Sequence, residues 1–356
     1  MSKRRDPEWR NQGAAGLLLR YLSELDLSGA VLVVEDPLPD VMNALTSAGR
    51  AVSAWSRRVS NGKGGDAWPP AGPFALVALR LPRGRDELSM SLHAAASVLQ
   101  PRGSALVYGA KDEGIHGALG ALGDLFTNSE TVAIGGHCRV LKGVREAEPP
   151  GAGLPGLRAS LEEWKTGVFL DYPDLPSYWV SFPGVFAHGR LDHGTRLLLD
   201  ALPPLPPRAR VLDYGCGSGV IGYVASGRGD GVEVDLVDVD AVALEAAREN
   251  LPGSRIHLRE GLPPVEDGPF DAIFSNPPFH RGKAEDPEMI VSMVRGAPAL
   301  LRPKGMLVFV AQRRLPLEGA LHERFRDVTV LAENSTFRVW KGRNPKMVMG
   351  RKWEKG

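Results

Sequence analysis

Residues Val211 to Gly222, VLDYGCGSGVIG, are the stretch of sequence that decides the fold. The stretch opens as a short apolar strand and runs into a turn with glycine at every second position. Glycines at a strand–helix junction let the backbone turn sharply and let a ligand lie against it. The stretch therefore predicts the opening strand, turn and helix of a nucleotide-binding α/β domain.

Strand-like and helix-like patterns alternate through the rest of the second half. Strands are predicted at 232–239, Phe270–Ser275 and 306–311, and helices over Ala241–Asn250 and around 290–297. Pro303 and Gly305 are expected to end the second of these helices. Such alternation predicts a parallel sheet with helices on both faces, and the unbroken apolar character of Phe270–Ser275 is typical of a strand buried on both sides.

The first half repeats this pattern. FALVAL (74–79) corresponds to FDAIF (270–274), and VLQPRGSALVYGA (98–110) corresponds to LLRPKGMLVFVA (300–311). The separation is 196 residues for the first pair of segments and 202 for the second, so six residues were gained or lost between them. Two tandem domains of one fold are therefore predicted. The alternative is that both halves are simply α/β and resemble each other by chance.

A segment rich in proline and glycine, EAEPPGAGLPGL at 146–157, separates the halves. We expect a first domain over 1–145, a linker over 146–160, a second domain over 161–342 and a basic tail over 343–356. Residues 338–356 contain seven Lys or Arg side chains against the single acid Glu354. Such a tail suits contacts with nucleic-acid phosphates, and a solvated chain end is the alternative.

The two halves differ in the loops that would hold a ligand. The opening strand leads into DYGCGSG (213–219) in the second half, whereas its counterpart leads into EDPLPDV (35–41), which has no glycine. The later strand ends in NPPF (276–279) in the second half and continues as LRLPRG (79–84) in the first. A loop without glycine keeps backbone N–H groups away from a ligand. The first domain is therefore predicted to be degenerate, to bind no cofactor and to serve substrate recognition.

Composition excludes several classes of protein. Hydrophobic residues make up 43% of the 356 residues and charged residues 24%, as in soluble globular proteins. The apolar runs are too short for a signal peptide or a membrane span, so we expect a cytoplasmic protein without membrane contact. Cys138 and Cys216 suggest no Cys-based zinc site, and His188 and His193 beside Asp192 lack a further ligand cluster. No metal is therefore expected.

The glycine turn is ambiguous by itself. Gly217 to Gly222 fits the dinucleotide pattern G-x-G-x-x-G, and Asp238 ends the next strand where a ribose-binding acid belongs. A nicotinamide-dependent oxidoreductase is therefore one alternative. Asp213 at the start of the turn favours a different cofactor, because a carboxylate repels a pyrophosphate but attracts the ammonium group of S-adenosylmethionine (AdoMet).

The decisive motif is Asn276-Pro-Pro-Phe279 (NPPF), directly after the third predicted strand. An exocyclic amine is a poor nucleophile because its lone pair is delocalised into the ring. The Asn276 side-chain oxygen and the Pro277 carbonyl can accept both N–H bonds and aim the lone pair at a methyl group, while Phe279 offers a face for base stacking. An ordinary Asn-Pro turn is the alternative for the motif taken alone. His280 is interpreted as structural or substrate-orienting and not as an obligatory base.

These motifs resemble those of class I methyltransferases, and in particular the family of ribosomal RNA small subunit methyltransferase C and large subunit methyltransferase G. That family consists of bacterial guanine-N2 enzymes with two tandem methyltransferase-like domains, the first degenerate. The resemblance extends over most of the chain. Its motifs are PGVFAHGRLDHGTRLLL (183–199), VLDYGCGSGVIG (211–222), the strand end at Asp238 and SNPPFHRG (275–282).

The resemblance implies an α/β fold of two tandem Rossmann-like methyltransferase domains, with AdoMet as the cofactor. The residues it places against the cofactor are Asp213, Gly215, Gly217, Gly219, Asp238, Glu260, Gly261 and Asn276, with Phe186 and Asp192 as further candidates. The residues it places against the guanine amine are Asn276, Pro277 and Phe279. Asp213 would face the cofactor's amino group, Asp238 its ribose, and Glu260 with Gly261 its adenine.

The resemblance also implies a function, the AdoMet-dependent N2-methylation of a guanine in ribosomal RNA. The leading substrate is 16S rRNA of the small subunit, and 23S rRNA is an alternative. The partner is then ribosomal RNA or the small ribosomal subunit, and a monomer is favoured. A glutamine-N5 protein methyltransferase would apply the same chemistry to a side-chain amide, although such enzymes more often have NPPY. The degenerate half alone would permit a non-catalytic RNA-binding protein, but the duplication favours the RNA enzyme.

Overall fold

The structure is a computed structural model, which describes residues 8–147, 156–277, 280–281, 284–285 and 287–346. Tertiary contacts divide the chain into two compact units. The first unit extends to Arg58 and then from Gly64 to Lys165. The second contains Val59–Lys63 and the chain from Thr166 onward. Each unit has its own sheet and its own core.

The first unit alternates helices and strands along most of its length. Its helices are α1 (Glu8–Ser23), α2 (Asp40–Ser47), α3 (Arg85–Val98) and α4 (Ala118–Gly123). Its strands are β1 (Val31–Val34), β2 (Val52–Trp55), β3 (Phe74–Arg80), β4 (Leu99–Ala110), β5 (Thr127–Gly135) and β6 (Cys138–Val144). Short 3-10 turns lie at Lys111–Glu113, Ile115–Gly117 and Glu162–Trp164.

These strands form one six-stranded sheet in the order β2-β1-β3-β4-β6-β5. The first four are parallel, and β6 and β5 are antiparallel to their neighbours. Apolar side chains cover both faces of the sheet: α1 and α2 pack on one, and α3 and α4 on the other. The first unit is therefore the three-layer α/β domain that the alternating pattern predicts.

The second unit has the longer series of elements. Its helices are α5 (His193–Asp200), α6 (Val220–Ser226), α7 (Ala241–Asn250), α8 (Pro287–Gly296) and α9 (Glu318–Arg324). Its strands are β7 (Thr166–Val168), β8 (Trp179–Ser181), β9 (Arg210–Tyr214), β10 (Glu233–Asp238), β11 (Arg255–Leu258), β12 (Phe270–Ser275), β13 (His280–Arg281), β14 (Ala284–Glu285), β15 (Leu301–Gln312), β16 (Phe325–Glu333) and β17 (Phe337–Pro345). Two 3-10 turns lie at Val265–Asp267 and Ala297–Leu300. Among the described residues of both units, no helix combines the length and the apolar character needed to cross a membrane.

The main sheet of the second unit has seven strands in the order β11-β10-β9-β12-β15-β17-β16. The first five are parallel and the last two antiparallel. The pairs β7–β8 and β13–β14 form separate hairpins. In an open parallel sheet, ligands bind outside the carboxyl ends of the strands. The ends of β9, β10 and β12 are therefore where a site is expected.

The two units share one topology. In the second sheet, the six neighbouring strands β10-β9-β12-β15-β17-β16 repeat the order and directions of β2-β1-β3-β4-β6-β5 in the first. Strand β11 is an addition at the edge of the second sheet. The same register irregularity also follows Phe74 in β3 and Phe270 in β12. These common features confirm the predicted fold class of two tandem Rossmann-like domains.

Most predicted elements of the second unit are confirmed, and β12 and α7 have the predicted bounds. The predicted end of the helix before β15 is wrong. This helix, α8, ends at Gly296, and Pro303 and Gly305 lie inside β15. They coincide with the register irregularity opposite β12, where a proline without an N–H removes no regular ladder bond.

The end of the first unit lies at Lys165, beyond the expected start of the second domain at 161. The buried Trp164 ring packs edge-on against His93, with 5.0 Å between ring centroids, and the Arg158 guanidinium lies 4.6 Å from its centroid. The Arg158 N–H also donates to His93 Nδ1 at 3.0 Å. These contacts attach the end of the expected linker to the first unit. Residues 148–155 of that linker lie outside the described residues.

The expected basic tail begins inside a strand. Arg343 in β17 pairs with Asp327 of β16 and with Met306 of β15, so the sheet continues past the expected start of the tail at 343. The Asn344 side chain also donates to the Asp327 carboxylate. Residues 347–356 lie outside the described residues.

Candidate functional site

The glycine turn connects β9 to α6 at the carboxyl edge of the sheet. Gly215, Gly217 and Gly219 have φ angles of 71°, 54° and 88°, in the left-handed region that favours glycine. The N–H groups of Gly215 and Cys216 donate to the Val237 carbonyl at 2.8 and 3.0 Å. These two bonds fix the start of the turn to the neighbouring strand β10.

Asp238, at the end of β10, fixes the middle of the turn. Its Oδ2 accepts the Gly217 N–H at 2.8 Å, and its Oδ1 accepts the Asp240 N–H at 3.0 Å. Burial raises the pKa of the Asp238 carboxyl, and the charge of Asp240 adds to the rise. A Cβ atom at Gly217 would meet no atom of the described residues within 4 Å. The backbone in the middle of the turn is therefore held from one side and open on the other.

Asp213 lies fully buried beneath the turn. Its Oδ2 accepts the Gly222 N–H of α6 at 2.8 Å, whereas its Oδ1 has no hydrogen-bond partner among the described residues. Burial raises the pKa of this carboxyl to about 7; the bond from Gly222 lowers it and the charge of Asp238 raises it further. A buried carboxylate oxygen without a donor favours a nearby cation. The predicted role of Asp213, facing an ammonium group, stays a prediction.

A cavity opens in front of the glycine turn. Its walls include the backbone at 215–218, Asp192 and Thr195 at the beginning of α5, and Asn276 at the end of β12. Phe186 also lines the cavity and is 62% exposed, which places it at the rim. The cavity therefore brings the glycine turn and the Asn-Pro motif together, as the sequence predicts. Asp213 does not line it.

Asn276 follows β12 directly, and hydrogen bonds determine how its side chain lies. The Ser275 hydroxyl donates to the Tyr214 carbonyl at 2.7 Å and so ties the end of β12 to the end of β9. The Asn276 Nδ2 donates to Asp192 Oδ2 at 3.1 Å and to Thr195 Oγ1 at 2.8 Å. The amide nitrogen therefore faces α5, and the carbonyl oxygen of the same planar group points away from these two acceptors.

Asp192 is the N-cap of α5. Its φ and ψ are −64° and 143°, and its Oδ2 accepts the Thr195 N–H at 3.0 Å. An aspartate in this position satisfies one of the free N–H groups at the start of a helix. The same carboxylate oxygen thus caps α5 and receives the Asn276 amide. The resemblance placed Asp192 among the cofactor residues; Asp192 lines the cavity, and its side-chain contact there is with Asn276 of the Asn-Pro motif.

The remainder of the Asn-Pro motif is described only in part. Pro277 is buried next to Asn276. Pro278 and Phe279 lie outside the described residues, and so does the side chain of His280. The predicted roles of Phe279 and His280 therefore stay predictions.

Glu260 and Gly261 follow β11, at the expected adenine end of the site. Gly261 has a φ of 76°. The exposed Glu260 accepts the Asn61 N–H at 3.1 Å, and the Val59 N–H donates to the Val239 carbonyl at 2.8 Å. The short segment Val59–Lys63, which belongs to the second unit, is therefore attached beside the ends of β10 and β11. An adenine contact of Glu260 and Gly261 stays a prediction.

The β7–β8 hairpin forms a further wall of the cavity that the sequence did not predict. The buried Trp179 donates from Nε1 to the Ser218 hydroxyl at 3.0 Å, and its ring packs edge-on against Tyr223. Asn250, the last residue of α7, exchanges two bonds of 2.8 Å with the Val180 backbone and donates to the Ser218 carbonyl at 3.0 Å. Ser218 belongs to the glycine turn, so Asn250 joins the hairpin to the turn. These partners lie at least 32 residues apart in sequence, which is why no local pattern revealed them.

The histidines near Asp192 show no metal site. His188 Nδ1 lies 2.8 Å from the Ser181 hydroxyl, and His193 is exposed. In the part of the chain that the structure describes, no group of three or more His, Cys, Asp or Glu side chains could hold a metal ion.

The first unit has an arginine where the second has Asn276. The 196-residue separation between β3 and β12 makes Arg80 the counterpart of Asn276. Arg80 is 5% exposed and donates to both oxygens of Glu113 at 2.7 Å and to Asn11 Oδ1 at 2.9 Å. Internal partners therefore satisfy the side chain at this position of the first sheet.

A charged cluster replaces the glycine turn in the first unit. Glu35 follows β1 as Gly215 follows β9, and it also has a positive φ, 55°. Its carboxylate accepts the Arg57 N–H and the Ser56 hydroxyl, both at 3.0 Å. At the position that corresponds to Gly215, the first unit thus has a side chain that is satisfied by internal partners.

A family model described as the methyltransferase small domain matches residues 178–341. The matched span contains the β8 strand, the glycine turn, the Asn-Pro motif and most of the residues that line the cavity. A Rossmann-like sheet with the glycine turn and the Asn-Pro motif at its carboxyl edge defines a methyltransferase.

The relatives specify the family of methyltransferases to which the chain belongs. Ribosomal RNA small subunit methyltransferase C of Hahella chejuensis is 31% identical over 330 residues, which cover 88% of this chain and 94% of the relative. The protein of the same name from Shewanella loihica is 31% identical over 283 residues, 78% of this chain and 80% of the relative. The chain belongs to the ribosomal RNA small subunit methyltransferase C family.

A solved structure agrees over almost the whole chain. It is described as "T. Thermophilus 16S rRNA N2 G1207 methyltransferase (RsmC) in complex with AdoMet and Guanosine". The TM-score is 0.73 at 25% identity, and the match covers 96% of this chain and 92% of that one. Both tandem units are therefore part of the likeness, and not the second unit alone.

Proposed function

We infer that this chain transfers a methyl group from AdoMet to the exocyclic N2 of a guanine in 16S rRNA. The observation that carries this inference is the Asn276 amide, whose nitrogen bonds Asp192 and Thr195 and whose oxygen is left for a substrate amine beside the glycine turn. Membership of a small-subunit methyltransferase family supports the RNA. The T. Thermophilus relative, an N2 methyltransferase in complex with AdoMet and guanosine, supports the base and the cofactor.

The residues around the cavity fit AdoMet. The open space in front of Gly217 lets a ligand approach the backbone of the turn. The Asp238 carboxylate ends β10, where an acid can accept ribose hydroxyls. Asp213 does not line the cavity, but it lies buried beneath the turn, and the negative charge on its unpartnered Oδ1 would attract a cationic group bound at the turn. When bound, AdoMet supplies the methyl group, which leaves sulfur as its bond to the amine nitrogen forms.

The chain's own groups position the amine. Asn276 Oδ1 would accept one N–H and the Pro277 carbonyl the other, which draws the nitrogen out of conjugation and aims its lone pair. Positioning of this kind can supply most of a rate enhancement. No side chain needs to remove a proton before transfer, because the amine loses its proton to water after the new N–C bond has formed.

The first unit is proposed to recognise RNA without binding AdoMet. The lack of AdoMet binding is supported by Arg80 and Glu35, which correspond in position to Asn276 and Gly215 and are satisfied by internal partners. The basic residues between 338 and 356 are proposed to add phosphate contacts. The substrate is then the small subunit or its rRNA.

Transfer of tritiated methyl groups to separate 30S and 50S subunits, from cells that lack this gene, tests the proposal. We expect label in 16S rRNA only, recovered as N2-methylguanosine after nuclease digestion. The guanine at 1207, which the T. Thermophilus relative modifies, is the first position to map. In the control N276A, activity should fall by about 100-fold while S-adenosylhomocysteine still binds, because the variant lacks only the amine acceptor.

Each other outcome contradicts part of the proposal. Label in 23S rRNA would assign the enzyme to the large subunit, and label on a glutamine side chain would assign it to a protein substrate. Full activity of N276A would show that the Asn-Pro motif is not the amine site.

A further inference from the structure

We propose that Asp192 and Thr195 are positioning residues that select one of the two orientations of the Asn276 amide. The proposal rests on the proposed function, because it concerns the group that accepts the substrate amine. A side-chain amide has nearly the same shape when its oxygen and nitrogen are exchanged, but one orientation presents an acceptor and the other a donor. Only the orientation with Oδ1 toward the cavity can accept an amine N–H.

The Asp192 carboxylate is the stronger of the two selecting groups. Its Oδ2 lies 3.1 Å from Asn276 Nδ2. An ionised carboxylate only accepts hydrogen bonds, so the flipped amide would place two oxygens against each other with no proton between them. The observed orientation replaces that repulsion with a charge-assisted hydrogen bond.

Thr195 adds a second acceptor for the same amide nitrogen. Its Oγ1 accepts an N–H of Asn276 Nδ2 at 2.8 Å and lies 3.5 Å from Asp192 Oδ2, so a hydroxyl proton turned toward the carboxylate leaves a lone pair for the amide. Thr195 is 6% exposed. Water has little access to replace this hydroxyl, and its loss would leave the amide nitrogen without one of its two partners.

The position of Asp192 is set by the fold and not by Asn276. As the N-cap of α5 it bonds the Thr195 N–H, and the helix packs on the sheet through the fully buried Leu198 and Leu199. A Cβ atom at Gly194 would lie 3.1 Å from Asp192 Oδ2 and 3.4 Å from the Phe337 ring. Glycine at 194 therefore leaves room for the carboxylate at this place. A rigid acceptor is what selection of an amide orientation requires.

The variants Thr195→Val and Thr195→Ser form a matched pair. Valine keeps the shape and loses the hydroxyl, whereas serine keeps the hydroxyl and loses a buried methyl. With 30S subunits as substrate, we expect kcat about tenfold lower in T195V and most of the activity in T195S, with S-adenosylhomocysteine affinity preserved in both. A packing role predicts the reverse order, because only T195S creates a cavity.

The variant Asp192→Ser separates capping from orientation. Serine is a good N-cap and can still accept the Thr195 N–H, but its shorter neutral side chain does not reach the Asn276 amide. We expect kcat to fall about tenfold. In the N276A background, whose residual activity is followed over longer times, D192S should cause no further loss, because the group that Asp192 orients is already absent.

Two results would overturn the proposal: T195V with the kcat of the unmodified enzyme, or an equal loss from D192S in both backgrounds. Both are distinguishable from failure of the proposed function, since N276A would then still show its loss of about 100-fold in activity. If T195V does not fold, as judged by thermal unfolding, the D192S comparison decides alone.

Discussion

The Asp238 carboxylate accepts the Gly217 N–H at 2.8 Å, so the acid that ends β10 also holds the turn between β9 and α6. Sequence patterns assign these two residues separate roles, the acid to binding the ribose of the cofactor and the glycine to forming the turn. Their direct bond means that the predicted ribose acceptor and the shape of the turn depend on one side chain.

Replacement of Asp238 by alanine is therefore expected to raise the Kd for S-adenosylhomocysteine by at least about tenfold, since a lost charge-assisted bond to a backbone N–H costs on the order of 1.5 kcal/mol. Isothermal titration calorimetry measures this change. D238N keeps one oxygen for the Gly217 N–H, so its Kd for S-adenosylhomocysteine should lie between those of D238A and the original protein. A D238A protein that binds within twofold of the original would show that neither the turn nor the ribose depends on this acid.

Asp213 should make cofactor binding depend on pH. Burial raises the pKa of this carboxyl to about 7, so it is ionised at pH 8 and mostly protonated at pH 6. Only the ionised form attracts an ammonium group. If bound ligand holds Asp213 ionised, the Kd for S-adenosylhomocysteine should rise by about tenfold from pH 8 to pH 6.

The control for this pH dependence is Asp213→Asn. Its amide oxygen can still accept the Gly222 N–H, but the side chain carries no charge at either pH. Titration of the ligand itself affects both proteins equally. Equal slopes of Kd against pH in the two proteins would therefore exclude Asp213 as the titrating group.

The sheet and its motifs could be predicted from sequence because each depends on local pattern. The apolar run Phe270–Ser275 fixes β12, and the residue after a buried parallel strand must lie at the carboxyl edge, which places Asn276 in the site. The glycine turn is local in the same sense. Its alternate glycines predict that a turn lies here, whereas the bonds that hold the turn come from Asp238 and Asn250 on other elements.

The supporting contacts could not be predicted because they join distant parts of the chain. Asp192 and Thr195 reach Asn276 across more than 80 residues, through the packing of α5 on the sheet. The spacing of Asp192 and Thr195, typical of an N-cap with its bonded residue, was a signal for the start of α5 but not for its partner. Arg80 is different: the 196-residue separation could have identified it as the counterpart of Asn276.

Asn250 is expected to stabilise the cofactor side of the second unit. Its side chain bonds both backbone groups of Val180 and the Ser218 carbonyl, and Val180 is buried. N250A would leave these groups without partners, at a cost of about 2 kcal/mol in the free energy of unfolding. Urea unfolding measures the cost, and the KM for AdoMet should rise as the turn loosens.

A charge change at the same position provides the control. Asn250→Asp keeps an acceptor for the Val180 N–H. It replaces the donor Nδ2 with a carboxylate oxygen, which repels the carbonyl oxygens of Val180 and Ser218. It should therefore destabilise the protein at least as much as N250A. An N250D protein as stable as the original would mean that the carbonyl bonds contribute nothing.

Arg80 gives a test of the first unit that leaves the cofactor site untouched. Its guanidinium is buried and bonds Glu113 and Asn11, so R80A should lower the free energy of unfolding by about 2 kcal/mol. The matched control is R10A, which breaks a more exposed pair with Asp112 and should cost less than about 1 kcal/mol. Because the first unit is inferred to bind no cofactor, both variants should bind S-adenosylhomocysteine with the original Kd at temperatures where they are folded. Loss of binding in folded R80A would contradict that inference, since a side chain that only fills an abandoned site cannot alter the affinity of the other unit for its ligand.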